Sequence, residues 1–308
     1  MLIPPASLVE RIPPEVTRRL GKLFFSIPLP SCRPSTKWRI GRAETYGPVG
    51  VAAGLDKEGL YTRALSAFCP GFIVVGSTTA RPRRGNKPPL TARLSPRSLV
   101  NAMGLPSPGL PVVLARISKV EYPLFVSVAG FTAEELLQQI EYVEKYGRNI
   151  EAIEVNLSSP TYKGAWDKAA PLLASAKKQL FIKVGPTSEL RAYFELARRS
   201  GHGLVLTNTL PVDDRRIGVG RGGVSGLWLY SIMLKMLEKA RAYLGRGVPI
   251  IAVGGVMSCR QVKAVMEKAD AVEVLTGILY YGPELLRRLN ACALATKSVT
   301  NTEAARDI

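Results

Sequence analysis

The segment EVNLSSPTYKG, residues 154–164, sets Asn156, Ser158 and Ser159 at the end of an apolar run. A hydroxyl there, on a loop held by a rigid scaffold, could serve as a base or nucleophile. The same residues also make an ordinary Ser/Asn/Pro turn leading into a helix, which is what such clusters usually mark. What ends beside them decides between the two readings. Other apolar runs finish at Asp56 and Lys57, at Ser77 and Thr78, at Ser127, at Lys183, at Thr207, Asn208 and Thr209, at Gly254 and Gly255, and at Thr276 and Gly277. This set is rich in amides and hydroxyls, holds two lysines and has few acids. It suits a flat heteroaromatic ligand with ring nitrogens and carbonyls. A divalent metal would want several carboxylates or histidines instead.

These residues need a scaffold that gathers strand ends. Short apolar, β-branched runs occur at 49–53, 72–76, 124–129, 152–157, 180–184, 203–208, 249–255 and 271–277, each followed by a stretch of helical periodicity. The clearest helical stretches are 132–146, 188–199, 228–243, 258–268 and 283–295. Continuous apolar runs alternating with helices predict parallel strands buried on both faces. Eight of them in one chain predict an α/β fold, a closed (β/α)8 TIM barrel, with its chemistry at the carboxyl ends of the strands. The competing doubly wound sheet would want a G-x-G-x-x-G turn after the first strand, and AAGLDKEG is not one. The expected division is a short N-terminal helical extension over 1–47 and the barrel over 48–308, with an insertion, 77–111, after the second strand. A long insertion of this kind is usually functional.

The last two strands end in GGVMS and LTGILYYG, where such barrels often bind phosphate on backbone N–H groups. GRGGVSG, 220–226, is expected to add a third glycine-rich loop. Lys183 ends an otherwise apolar strand. It either snorkels from the barrel floor or points to the top, where a buried ammonium needs an anion. A flavin fits the second case, because its reduced form is negative at the ring edge.

Composition excludes several classes. The chain has 308 residues, 46% hydrophobic, with no apolar run near the roughly 18–20 residues of a membrane span and no secretory pattern. His202 is the only histidine, which removes most hydrolytic triads and histidine-based zinc sites. Cys32, Cys69, Cys259 and Cys292 form no C-x-x-C pair. Free thiols in a reducing compartment are therefore expected. The net charge of +18 is spread over 18–20, 81–87, 197–200 and 213–223 without interleaved aromatics. That reads as solvated faces and not as a nucleic-acid surface, although an acidic partner subunit would also fit.

The successive motifs AAGLDKEG, VVGSTTARPRRGNKPPLTARL, NAMGLPSPG, NLSSPTYKG, TNT, GGVSG, VGGV and LTGILYYGP resemble those of dihydroorotate dehydrogenase, in the family's order, over about residues 47–290. The resemblance implies an FMN-dependent barrel that oxidises dihydroorotate to orotate in pyrimidine biosynthesis. It implies that Ser159 is the base, taking a proton from C5 while a hydride leaves C6 for flavin N5. A serine hydroxyl is a poor base and needs a relay such as a water or Thr161. The implied substrate contacts are Lys57, Asn101, Met103, Gly104, Leu105, Asn156, Thr161, Asn208 and Thr209. The implied FMN contacts are Ala53, Gly54, Lys57, Ser77, Ser127, Asn156, Lys183, Thr207, Gly226, Gly255, Thr276 and Gly277.

Thr161 stands where the family usually has Asn, so one hydroxyl replaces an amide with two donors and an acceptor. The serine base and the segment LVERIPPEVTRRLGKLFFS resemble the membrane-linked, quinone-using class, whereas LFVSVAGFTAEE resembles the soluble class. A quinone, a soluble oxidant and a partner electron-transfer subunit all remain open as acceptor, and so does an oligomer. The location follows the acceptor: cytoplasm, or the periphery of a membrane. If 6–27 forms amphipathic helices split at Pro13 and Pro14, then Leu8, Val9, Ile12, Val16, Leu20, Leu23 and Phe24 share an apolar face. Arg11, Arg18, Arg19 and Lys22 ring that face. Two rival functions are a different FMN-dependent dihydropyrimidine or dihydrouridine oxidoreductase and a non-catalytic nucleic-acid-binding barrel.

Overall fold

In the computed structural model the described residues are 12, 14–25, 27, 29–157, 173–187 and 189–304. In chain order the strands are β1 (Trp38–Ile40), β2 (Ala43–Thr45), β3 (Val49–Val51), β4 (Ile73–Thr78), β5 (Thr91–Leu94), β6 (Ser98–Asn101), β7 (Leu124–Val128), β8 (Ile150–Asn156), β9 (Gln179–Val184), β10 (Gly203–Leu206), β11 (Leu210–Asp213), β12 (Arg221–Gly226), β13 (Ile250–Val253) and β14 (Ala271–Val274). The eight apolar runs supply β3, β4, β7, β8, β9, β10, β13 and β14. These pair in parallel, in that order, into a closed barrel. Their runs are continuous because both faces are buried. One face meets the helices, through residues such as Val49, Val51, Ile153 and Ile182. The other fills the barrel.

The barrel interior is layered by the period of two along each strand. Its floor is apolar. Phe72, Phe125 and Phe181 stack with ring centroids 4.6 and 5.7 Å apart, among Val74, Ala152, Val205, Ile251 and Ala271. Gly50 faces them because a Cβ there would lie 2.7 Å from the Phe72 ring. The antiparallel hairpin β1–β2 adds Ile40 and Ala43 to this cluster. His202 is structural. Its Nδ1 accepts from the Leu180 N–H at 3.3 Å and its Nε2 donates to the Leu173 carbonyl at 2.8 Å, so burial keeps the ring neutral.

The insertion is partly a sheet. β5 and β6 join β12 and β11 in an antiparallel sheet ordered β11-β12-β6-β5. GRGGVSG, expected as a loop, is therefore mostly the strand β12. Its glycines carry no side-chain alternation, which hid the strand, and they fit because a Cβ at Gly222 would lie 2.7 Å from the Asn101 carbonyl.

The N-terminal segment contains the helix Pro14–Phe25, opened by a proline where the missing N–H costs nothing. Leu8, Val9 and Arg11 lie outside the described residues, as do the side chains of Arg18, Arg19 and Lys22. Phe25 is buried against the core, while Val16, Leu20, Leu23 and Ile27 are exposed.

The expected free thiols are a correction. Cys32 is bonded to Cys69 and Cys259 to Cys292, with Cα–Cα distances of 5.2 and 5.5 Å. The fold brings together residues 37 and 33 positions apart, which no spacing rule reports. The reducing compartment inferred from free thiols loses its ground. No helix among the described residues is long and apolar enough to cross a membrane.

Candidate active site

At the carboxyl ends of the barrel strands lies a cavity of about 650 Å³. Its inner wall carries Ala53, Gly54 and Lys57 after β3, Ser77 of β4, Asn156 of β8, Lys183 of β9, Thr207, Asn208 and Thr209 after β10, Gly255 after β13, and Thr276 and Gly277 after β14. The antiparallel sheet closes one side with Asn101 and Gly226, and the following loop adds Met103, Gly104 and Leu105. Residues scattered over 225 positions thus face one space. Ser127 lies beneath it, fully buried, with its Oγ 2.8 Å from that of Ser77. Ser158, Ser159 and Thr161 lie outside the described residues.

The amides are held by one another. Asn156 Nδ2 donates to Ser77 Oγ at 3.0 Å, Asn208 Nδ2 donates to Asn156 Oδ1 at 3.3 Å, and the Thr209 N–H donates to Asn208 Oδ1 at 2.8 Å. Asn101 Nδ2 reaches the Gly223 carbonyl at 3.3 Å. The 101–107 loop is clamped by the segment before it. Arg83 and Ser107 exchange backbone bonds of 2.8 and 2.9 Å, and Arg83 Nε donates to the Gly104 carbonyl at 2.8 Å. Gly104 and Leu105, which line the cavity, both have positive φ, 71° and 54°. At the far side Thr276 Oγ1 donates to Ser225 Oγ at 3.0 Å. Gly226 and Gly255 have φ of 94° and 72°. A Cβ at Gly255 would lie 2.6 Å from the Gly226 carbonyl, so the two turns meet backbone to backbone.

The charges divide unequally. Asp56 is turned into its own loop, accepting from the Leu60 and Tyr61 N–H groups and from Thr62 Oγ1 at 3.0, 2.9 and 2.7 Å. Burial nonetheless pushes its carboxyl up. Lys57 faces the cavity, and burial, with a smaller push from Lys183, lowers its ammonium to about 8. Lys183 is not the unpaired cation expected from its strand. Its Nζ lies 3.0 Å from Glu154 Oε2 and 3.3 Å from Glu273 Oε2. Sequence reading missed both glutamates because each is one acid in an apolar run. The signal was their alternation phase: 152 and 154, and 271 and 273, share the inward face.

The outer cavity is apolar, with Phe25, Tyr61, Leu55, Leu275 and Leu279, and includes Arg84 and Arg93. Arg93 Nε and Nη2 donate to the Ile12 carbonyl at 3.1 and 3.0 Å, tying the N-terminal segment at Ile12 to β5. Among the described residues no cluster of His, Cys, Asp and Glu could hold a metal.

Comparison with known proteins gives this arrangement its family. Residues 37–292 match the family model described as dihydroorotate dehydrogenase. The dihydroorotate dehydrogenase (quinone) of Bordetella parapertussis is 31% identical over 280 residues, covering 78% of this chain and 79% of that one. The enzyme of the same name from Chloroflexus aurantiacus is 30% identical over 290 residues, covering 82% and 80%. In fold, the chain is similar to a DHODH from Eimeria tenella solved in complex with ferulenol, with a TM-score of 0.80 at 25% identity, over 95% of this chain and 93% of that one. With a family match spanning the whole barrel and relatives covering most of both chains, the chain belongs to the dihydroorotate dehydrogenase family.

Proposed function

We propose that the protein oxidises dihydroorotate to orotate, using FMN, and passes the electrons to a quinone. The observation that carries the reading is the single cavity lined at once by Lys57, the Asn156–Asn208 amide pair and the bare backbones of Gly226 and Gly255. The donor set fits FMN. Backbone N–H groups at Gly255, Thr276 and Gly277 suit a phosphate, and Lys57 and Asn156 suit the polar edge of a flavin ring. FMN, when bound, supplies the acceptor for the hydride that leaves C6.

The chain's own residues do the rest. Lys57, Asn101, Asn156, Asn208 and Thr209 hold the pyrimidine edge, and the backbone of Met103, Gly104 and Leu105 receives the carboxylate. Ser127 keeps the Ser77 hydroxyl oriented, and Thr207, which donates to the Val184 carbonyl at 3.1 Å, fixes the turn after β10. Ser159 takes the C5 proton, with Thr161 or a water as relay. The apolar outer cavity supports a quinone as acceptor: its walls suit a hydrophobic ring, and the Arg93 guanidinium can donate to a quinone carbonyl.

Two measurements test the reading together: the identity of the chromophore released on denaturation, and the stoichiometry of orotate formed to quinone reduced. FMN and one orotate per quinone are expected. A colourless protein, or a flavoprotein that leaves dihydroorotate untouched while oxidising another dihydropyrimidine, would overturn it.

A further inference from the structure

Between the phenylalanine floor and the cavity lies one charged layer of the barrel: Glu154 on β8, Lys183 on β9 and Glu273 on β14. Lys183 reaches across the interior, 3.0 Å from one carboxylate and 3.3 Å from the other. The three side chains are 1%, 6% and 0% exposed. With both acids ionised, the layer would carry a net negative charge on side chains that are almost fully buried. An unpaired charge so buried is normally neutralised by a shifted proton. Lys183 draws both carboxyl groups to itself, so the two acids are near neighbours, and like charges so placed favour a proton on one of them. Among the described residues no donor reaches Oε1 of either.

We propose that Glu273 keeps its proton beside the Lys183–Glu154 ion pair, so that the Lys183 layer is electrically neutral and Lys57 alone supplies net positive charge at the inner end of the cavity. Glu273 and Glu154 are thus positioning residues that act through Lys183 on the charge beneath the cofactor. The inference rests on the reading of the cavity as a flavin site, but the retained proton does not depend on a flavin being there.

Every neighbour agrees. The strands flanking Glu273 present Gly50 and Val253 in register with it or beside it, neither titratable. The charged groups facing it are Glu154 and Lys183. Among the described residues the acids form ion pairs with Lys183 and none with Lys57, whose ammonium is lowered by burial and, less, by Lys183. Asp56 is spent on its own loop. Burial, reinforced by Glu154 and opposed by Lys183, raises Glu273 to about 8, so the proton is kept at neutral pH and lost in mild alkali. Glu273 lines the cavity, which gives that proton its way out. Losing it puts a negative charge under the flavin and disfavours the addition of electrons.

The test uses the infrared carbonyl band of a protonated carboxyl group, read on the purified protein, together with the midpoint potential of its flavin from pH 6 to 9. Glu273→Gln is the informative variant, because an amide copies the protonated acid in shape and charge. Wild type should show the band at pH 7 and lose it near pH 8, where its potential should bend downward. Glu273→Gln should lack the band and, with flavin retained, bend less than wild type, the remainder coming from Lys57. Absence of the band from wild type at pH 7, or an undiminished band in Glu273→Gln, would overturn the inference. A protein that holds the band but no flavin would retain the proton and refute only the cofactor reading.

Discussion

Asn208, after β10, donates its Nδ2 to Oδ1 of Asn156, at the end of β8, at 3.3 Å. The bond crosses the strand between them, β9, at the cavity wall. Asn208→Ala removes one amide from that wall and one of the bonds that hold the other, which keeps its bond to Ser77. Hydrogen bonds to a charged or polar ligand are worth about 1–3 kcal/mol, so orotate should bind roughly 10-fold or more weakly, read from the flavin spectrum. Affinity within about twofold of wild type would remove Asn208 from the site.

Ser159→Ala should keep its flavin and reduce it about 10² to 10⁴ times more slowly with dihydroorotate, the usual loss for a general base. Stopped-flow reduction measures this directly. A rate within about threefold of wild type would sink the base assignment.

Leu20 and Leu23 are 55% and 69% exposed on the helix Pro14–Phe25, whose Gly21 and Phe25 line the outer cavity. If that apolar face admits the oxidant, Leu20→Asp with Leu23→Asp should leave reduction by dihydroorotate intact. Reoxidation by a long-chain quinone in vesicles should slow, because an amphipathic helix binds an interface through its buried apolar area. Equal slowing by a soluble oxidant would contradict this role.

The disulfides Cys32–Cys69 and Cys259–Cys292 close loops of 37 and 33 residues. Chain entropy alone assigns each about 3–4 kcal/mol. Cys32→Ser and Cys292→Ser should each lower the denaturation midpoint, and a strong reductant should reproduce the loss in wild type. Four titratable thiols in the unreduced, denatured protein would show that the bonds do not form.

The barrel was legible because its eight strands are buried on both faces and therefore apolar throughout, as at LFIKV and AVEVL. The cavity was legible because such a barrel gathers strand ends, so Asn156, Lys183 and Asn208 could be grouped although they are far apart in the chain. What could not be read depended on contacts between strands. Lys183 looked like a cation waiting for a ligand, because Glu154 and Glu273 each resemble an isolated charge until the barrel closes. Strand β12 looked like a loop because its glycines answer to the backbone of β6 and not to a side-chain pattern. Cysteine spacing predicted free thiols because pairing is set by where Cys32 and Cys69 meet, which the chain order does not encode.

The most direct measurement is anaerobic mixing of the oxidised protein with dihydroorotate while the flavin absorbance is followed. Full bleaching with one orotate formed per flavin is expected, followed by recovery of the band when quinone is added. An unchanged band with dihydroorotate, in a protein whose flavin is still bleached by a chemical reductant, would contradict it.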